Sequence, residues 1–279
     1  MLKTRVITAV FLFTIFFLAL FYLPPAGWAT FVTLVAAVAA WEWGALMKLR
    51  NNSSRIFIGI ALALICGVVS ALYPAAIGIG AAQPDAAWGL GRWFYIPAAA
   101  FWLLVVPLWM SRRWPLPNSL SGLLIGGLLI LPAWLALIQL RQAGALALLA
   151  IMAVVWLADI GAYVFGRTFG KHKLAPSISP GKTWEGVIGG GLVVLVYGFV
   201  LSSKLPSALS ASDGLLLLVL ILLVAISVVG DLFESMLKRQ AGLKDSSNVL
   251  PGHGGVLDRI DSLTSTLPLV ALVWLRMPP

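Results

Sequence analysis

Charge is scarce in this chain. Of its 279 residues, 10% are Asp, Glu, Lys or Arg and 61% are hydrophobic, whereas soluble domains carry about 25% charged residues. That deficit excludes a soluble globular domain: one core could not hide so much apolar surface from water, while a bilayer solvates it directly if the backbone is satisfied internally. Cysteine is nearly absent, and the one thiol, Cys66, lies within an apolar run and excludes an intrachain disulfide. Acids are few as well, 10 against 19 Lys and Arg, for a formal net charge of +9. In a soluble chain that excess would suggest nucleic acid. In a membrane chain basic residues set topology and meet anionic lipid, so no nucleic-acid partner is expected.

What the chain has in abundance is long apolar runs. Stretches able to cross the roughly 30 Å hydrocarbon layer cover Val6 to Leu23, Trp28 to Met47, Ile56 to Ala81, Phe94 to Met110, Leu120 to Leu140, Ala145 to Phe165, Val187 to Ser202, Leu215 to Phe233 and Ile260 to Leu275. The expected fold is therefore all-α, a polytopic integral membrane protein of about nine transmembrane helices. By alternate loops, Lys3, Arg5, Lys48, Arg50, Arg55, Arg112, Arg113, Arg167, Lys171, Lys173, Lys182, Lys238, Arg239, Lys244 and Arg259 fall on one side. Only Arg92, Arg141, Lys204 and Arg276 fall on the other, so the positive-inside rule puts the N-terminus in the cytoplasm. Lys3 and Arg5 before an apolar run, with Gly27-Trp28-Ala29 beyond it, also fit a signal peptide. The run is long for that, which favours an uncleaved first helix.

Acids are more informative than bases, because topology does not need them and a carboxylate in the bilayer is costly unless paired or wetted. Asp85 and Asp213 fall on the outer side; Glu42, Asp159, Glu185, Asp231, Glu234, Asp245, Asp258 and Asp261 lie in or near the cytoplasmic half. All of the latter but Glu42 follow residue 150. No repeat or low-complexity linker divides the chain, so one membrane domain, 1–279, is expected, with lipid-embedded spans over 1–143 and the chemistry over 144–279.

Helical spacing stacks Tyr163 on Asp159 in the sixth span. An interhelical hydrogen bond or a polar cavity open to the cytoplasm would explain that acid. The loop beyond it contains Gly181-Lys182-Thr183, which resembles a P-loop, but residue 176 is Pro rather than the required Gly, and no strand precedes it. Ser179 as N-cap and Pro180 at the first helical position would instead start the seventh span, leaving free N–H groups beside Lys182 for a phosphate. An ordinary capped helix start explains the same residues.

The next segment is more specific. Asp231, Glu234, Ser235 and Lys238 recur at i, i+3, i+4 and i+7 and draw a polar stripe on one helix face. After a turn rich in Ser and Gly, Asp258 and Asp261 share a face at the start of the ninth span. Helix-dipole complementarity accounts for one such acid, at less than about 1 kcal/mol. Asp231, Asp258 and Asp261 together make sense around a hard cation such as Mg²⁺, which takes one or two carboxylates, keeps waters and completes its shell with phosphates. Such a combination at a membrane surface suggests phosphoryl or nucleotidyl transfer onto a lipid.

The runs Ser235-Met236-Leu237-Lys238-Arg239, Lys244-Asp245 and Leu250-Pro251-Gly252-His253-Gly254-Gly255-Val256-Leu257-Asp258-Arg259-Ile260-Asp261 resemble the signature of phosphatidate cytidylyltransferases, also called CDP-diacylglycerol synthases. The Asp159 segment and Ser179-Pro180-Gly181-Lys182-Thr183-Trp184-Glu185-Gly186 are similar to that family too, so the resemblance spans roughly Trp156 to Ser262. It implies a membrane enzyme that joins CTP to phosphatidate, giving CDP-diacylglycerol and pyrophosphate for phospholipid synthesis. It further implies Mg²⁺, room for a second, monovalent cation, a homodimer, and a bacterial-type cytoplasmic (inner) membrane with the site facing the cytoplasm. Metal is assigned to Asp231, Asp258 and Asp261, with Asp159 as a further candidate. Lys182, Lys238, Arg239 and Arg259 are assigned to phosphates. Ser179, Thr183, Glu185, Lys244 and His253 complete the CTP-binding set, His253 either orienting a phosphate or holding the turn.

Two rivals remain. A CTP-dependent lipid-alcohol kinase would share the nucleotide features but act on a hydroxyl. An ion-coupled transporter would use Asp159 as a midplane site, but the acids gather at one surface and no inverted repeat is visible. A CDP-alcohol phosphotransferase would need an Asp-x-x-Asp-Gly-x-x-Ala-Arg run, which is absent.

Overall fold

The computed structural model describes residues 2–80, 84–202 and 212–274. Its helices are α1 (Leu2–Tyr22), α2 (Pro25–Leu46), α3 (Asn52–Leu72), α4 (Pro84–Ala100), α5 (Val106–Arg112), α6 (Leu120–Gln142), α7 (Ala145–Phe169), α8 (Trp184–Val200), α9 (Asp213–Ala241) and α10 (Leu257–Trp274). A π turn, Phe101–Val105, joins α4 to α5 in one rod. Pro97 and Pro107, which lack an N–H, flank it and loosen the ladder there.

Among the described residues, seven helical rods are long and apolar enough to cross a membrane: α1, α2, α3, the α4–α5 rod, α6, α7 and α9. The two remaining expected spans coincide with α8, apolar but only 17 residues long, and α10, which bears Asp258, Arg259 and Asp261 in its opening turns. The third span is shorter than expected: α3 stops at Leu72, and a 3₁₀ turn, Pro74–Ile77, ends in Gly78. Ala81, Lys204, Leu275 and Arg276 lie outside the described residues.

The core is aromatic, with Trp28, Tyr95, Trp102, Trp134 and Phe233 fully buried. The polar edges of Trp28, Tyr95 and Trp134 are satisfied where the helices meet. Tyr95 Oη donates to Gln139 Oε1 at 2.8 Å, and Gln139 Nε2 donates to the carbonyls of Ala76 and Ala87. Trp134 Nε1 donates to Thr33 Oγ1 at 2.9 Å. Outward-facing Phe11, Phe57, Leu64, Leu104, Leu146 and Val196 are exposed, as a chain solvated by lipid requires. α7 and α8 cross so closely that a Cβ at Gly190 would stand 2.4 Å from the Ala158 carbonyl oxygen, the small-residue contact by which membrane helices pack.

One expectation is corrected. Ser179 does not cap a helix: Ser179–Thr183 forms strand β2, antiparallel to β1 (Lys173–Ala175), with Lys173 opposite Thr183 and Ala175 opposite Ser179. Pro180 is tolerated because a two-stranded hairpin is all edge. The cap of α8 is Thr183, whose Oγ1 accepts from Gly186 N at 3.2 Å.

Candidate active site

The polar site lies where the end of α9, the start of α10, the β1–β2 hairpin, α7 and α2 converge. α9 brings its stripe to the site because Gly230, one residue ahead of Asp231, lets α10 approach: a Cβ there would stand 2.4 Å from Ser265 Oγ and 3.1 Å from the Asp261 carbonyl.

Lys182, on β2, reaches across to α9 and pairs with Asp231, Nζ to Oδ2 at 2.5 Å. Asp231 Oδ1 accepts from Ser235 Oγ at 3.1 Å. Asp159 on α7 is exposed and close enough to Asp231, Lys182 and Arg259 to feel their charges, so it belongs to the same site. Tyr163 lies one turn further along α7, as its spacing implies, and its Oη accepts from Arg167 at 2.8 Å. Two turns along α9 from Asp231, Lys238 bridges two acids, donating to Glu234 Oε2 at 2.8 Å and to Asp258 Oδ1 at 2.6 Å. Asp261 accepts from its neighbour Ser262 N at 2.6 Å and feels the charges of Asp231 and Lys238.

Asp258 is saturated. Besides Lys238, its Oδ2 accepts from Ser246 N at 2.9 Å, Ser246 Oγ at 3.0 Å and Gly255 N at 2.8 Å. A second buried carboxylate, Glu42 of α2, clamps the same turn from the other side with 0% exposure. It accepts from Ser246 Oγ at 3.2 Å, Ser247 Oγ at 2.6 Å, Val256 N at 2.9 Å and Leu257 N at 2.6 Å. Leu257 N–H is the first of α10 and Val256 N–H immediately precedes it, so Glu42 caps that helix from a distance, as a carboxylate at a helix N-terminus should. Gly255 sits between the acids, where a Cβ would fall 2.0 Å from Ser246 Oγ and 2.4 Å from Glu42 Oε1.

Sequence reasoning grouped Glu42 with the cytoplasmic acids but gave it no place in the site. The signal was there: Trp41-Glu42-Trp43 puts an acid inside an apolar span, and such an acid needs a partner.

The remaining candidates divide. Arg239, Lys244 and Arg259 are exposed and enter no ion pair among the described residues, as cations awaiting an anion would. Ser179 lies within β2 and Thr183 is spent on its cap. Glu185 ties the hairpin to α8: its carboxylate accepts from Lys171 N at 3.1 Å and His172 N at 3.2 Å and contacts His172 Nδ1 at 2.6 Å. Its own backbone N–H, then the His172 ring and these amides, hold its pKa down at about 2, just ahead of the apolar part of α8. His253 lies in the turn with its Nδ1 buried and without a partner among the described residues; its backbone N–H donates to the Leu250 carbonyl at 2.8 Å.

Asp159, Asp231, Glu234, Asp258 and Asp261 thus face Lys182, Lys238 and Arg259, a surplus of negative charge. Glu234 Oε1 is buried without a donor among the described residues and stands beside the Asp261 carboxyl, an arrangement that a shared proton or a cation would compensate. Among the described residues no three of His, Cys, Asp and Glu converge tightly enough to hold a metal unaided. The donors therefore fit a hard cation that takes few carboxylates and draws its other ligands from water and phosphate. Asp261 and Glu234 each have an oxygen to offer, and Asp231 holds one side-chain partner on each oxygen, Lys182 and Ser235, whereas Asp258 is held by four donors.

Fold and site together define an integral membrane protein with an acid-rich, lysine-bridged polar site at one end of its helical bundle. Comparison with known proteins makes this specific. The profile of the cytidylyltransferase family matches residues 3–276. A phosphatidate cytidylyltransferase of Pseudomonas aeruginosa is 41% identical over 98% of this chain and 97% of its own length. That of Haemophilus influenzae is 37% identical over 96% of each chain. A third, from Staphylococcus haemolyticus, is 51% identical over 44% of this chain and 47% of its own. The chain belongs to the cytidylyltransferase family, and it is a membrane-embedded nucleotidyltransferase.

Proposed function

We propose that the protein transfers the cytidylyl group of CTP to phosphatidate, releasing pyrophosphate, in a Mg²⁺-dependent reaction at the cytoplasmic face of a bacterial-type inner membrane. The observation that carries this reading is the convergence of Lys182 and Asp231, from separate segments, beside the buried acids of α9 and α10. It is supported by relatives whose names state phosphatidate as their substrate.

A phosphatidate oxygen attacks the α-phosphorus of CTP; the new P–O bond forms as the bond to the β-phosphate bridging oxygen breaks and pyrophosphate leaves with the electron pair. The nucleophile is already an anion, so no strong general base is required. Asp231 and Asp261, with Glu234 beside them, would hold Mg²⁺, which when bound neutralises phosphate charge and polarises the P–O bond. Lys182 leaves Asp231 for a nucleotide phosphate, and Arg259, Arg239 and Lys244 offer further cationic contacts to the triphosphate and the lipid phosphate. Lys238, Asp258 and Glu42 hold the turn that carries Asp261 and Arg259 into the site. A homodimer and a second, monovalent cation belong to the same reading.

The test is substrate choice by the purified protein in detergent with CTP and Mg²⁺. Phosphatidate should be consumed and a polyprenol left untouched, and EDTA should abolish turnover until Mg²⁺ is restored. Consumption of the polyprenol alone would favour a lipid-alcohol kinase.

A further inference from the structure

A groove of about 470 Å³ opens between α2, α3, α4 and α6, a size within the roughly 300–1,000 Å³ of small-molecule sites. Its walls include Ala40 and Trp43 of α2, Ala61 of α3, Phe94 of α4, and Gly127 and Ile130 of α6. Every lining side chain is apolar or aromatic, and the Trp43 Nε1 donor is already taken by the Gly122 carbonyl at 2.9 Å. The remaining indole, Trp93, is 71% exposed and carries the groove's single further side-chain donor among the described residues, so a hydrocarbon suits the lining best.

Two features single out which hydrocarbon. First, Trp43 and Ile130 also line a small cavity of about 10 Å³ whose far wall carries Glu234 and Asp261, so one partition separates the groove from the acids of the active site. Second, along α6 the lining runs from Leu123 to Pro132, which at 1.5 Å per residue is about 14 Å, close to half of a roughly 30 Å hydrocarbon layer. It starts at the end of the bundle where α2 delivers Glu42 to the site. A chain one leaflet deep, entering beside the active site, matches both.

We infer that this groove seats one acyl chain of the phosphatidate consumed at the site. The inference rests on the function proposed above and adds to it a determinant of lipid specificity far from the reacting phosphates. Binding the chain here would let remote apolar contact fix the lipid phosphate against the nucleotide.

The test adds bulk to the groove and reads chain-length preference. A Cβ at Gly127 would meet only Leu131 Cδ1, at 3.8 Å, so Gly127→Phe is free to project into the groove without striking backbone. Ala61→Phe narrows it from α3. Gly67→Phe is the control: Gly67 is exposed on the same helix, has no atom within 4 Å of a built Cβ, and does not line the groove. Each protein is assayed in mixed micelles with dioleoyl- and dioctanoyl-phosphatidate at saturating CTP. In both groove variants the kcat/KM ratio of long to short lipid should fall by about tenfold or more, the discrimination expected for lost methylene contacts in an apolar pocket, while the KM for CTP and the control's ratio stay at wild-type values. An unchanged ratio in both groove variants, or an equal fall in the control, overturns the inference and leaves the proposed function intact. Failure of the wild type to turn over either lipid overturns both.

Discussion

Replacing Glu42 should damage a site to which it contributes no reacting atom. In Glu42→Ala the two serine hydroxyls keep alternatives: Ser246 Oγ still has Asp258 Oδ2 at 3.0 Å, and Ser247 Oγ still accepts from Val249 N at 3.1 Å. Val256 N and Leu257 N lose the Glu42 oxygens that receive them at 2.9 and 2.6 Å, beneath a side chain with 0% exposure. Each orphaned N–H costs about 1–3 kcal/mol, and loss of a partly buried charge at a helix N-terminus adds up to about 2 kcal/mol. The sum is about 2–8 kcal/mol, on the order of 10 °C in the unfolding midpoint. Glu42→Gln keeps the shape but turns an amide N–H₂ toward backbone donors, so about half that loss is expected. The assay is thermal unfolding in detergent beside turnover at a temperature where the variant remains folded. Turnover should fall because α10 no longer holds Asp261 and Arg259 in register. A Glu42→Ala protein that melts and turns over like wild type would refute the clamp.

Gly255→Ala should cut turnover more than tenfold, since its Cβ would fall 2.0 Å from Ser246 Oγ and 2.4 Å from Glu42 Oε1; wild-type activity would mean the turn is free to move. Asp231→Asn and Asp261→Asn should lose most of kcat with little change in melting. Asp258→Asn should lose both, because its four donors face an amide; equal melting for all three would remove the distinction between ligand and turn holder. Lys182→Ala should mainly raise the KM for CTP, because an ammonium that binds phosphate alike in ground and transition states affects binding more than kcat. A change confined to the phosphatidate KM would move Lys182 off the nucleotide.

Much of this was legible in the sequence, for physical reasons. Apolar runs as long as a bilayer is thick have few alternative fates, so the long helices could be read directly, and the Asp231–Lys238 stripe follows from helical periodicity alone. The β1–β2 hairpin was not legible: Ser179-Pro180 carries a helix-start signal, and only pairing with Lys173–Ala175 diverts it into a strand. Nor was the division among the acids. Asp258 and Asp261 look alike in sequence, and which one is saturated depends on Ser246, Gly255 and Lys238 closing around it. Glu42 is the extreme case, joined to Ser246 across 204 positions, a separation at which no local pattern speaks.

The central claim, that this site moves a cytidylyl group onto a lipid phosphate, is tested most directly by the fate of labelled CTP. The purified protein is given phosphatidate, Mg²⁺ and CTP labelled with ³²P at either the α- or the γ-position. The account predicts α-label in the lipid product and γ-label released as pyrophosphate, with both signals lost in Asp261→Asn. Appearance of γ-label in the lipid would contradict it, because that outcome requires phosphoryl transfer from the far end of the nucleotide.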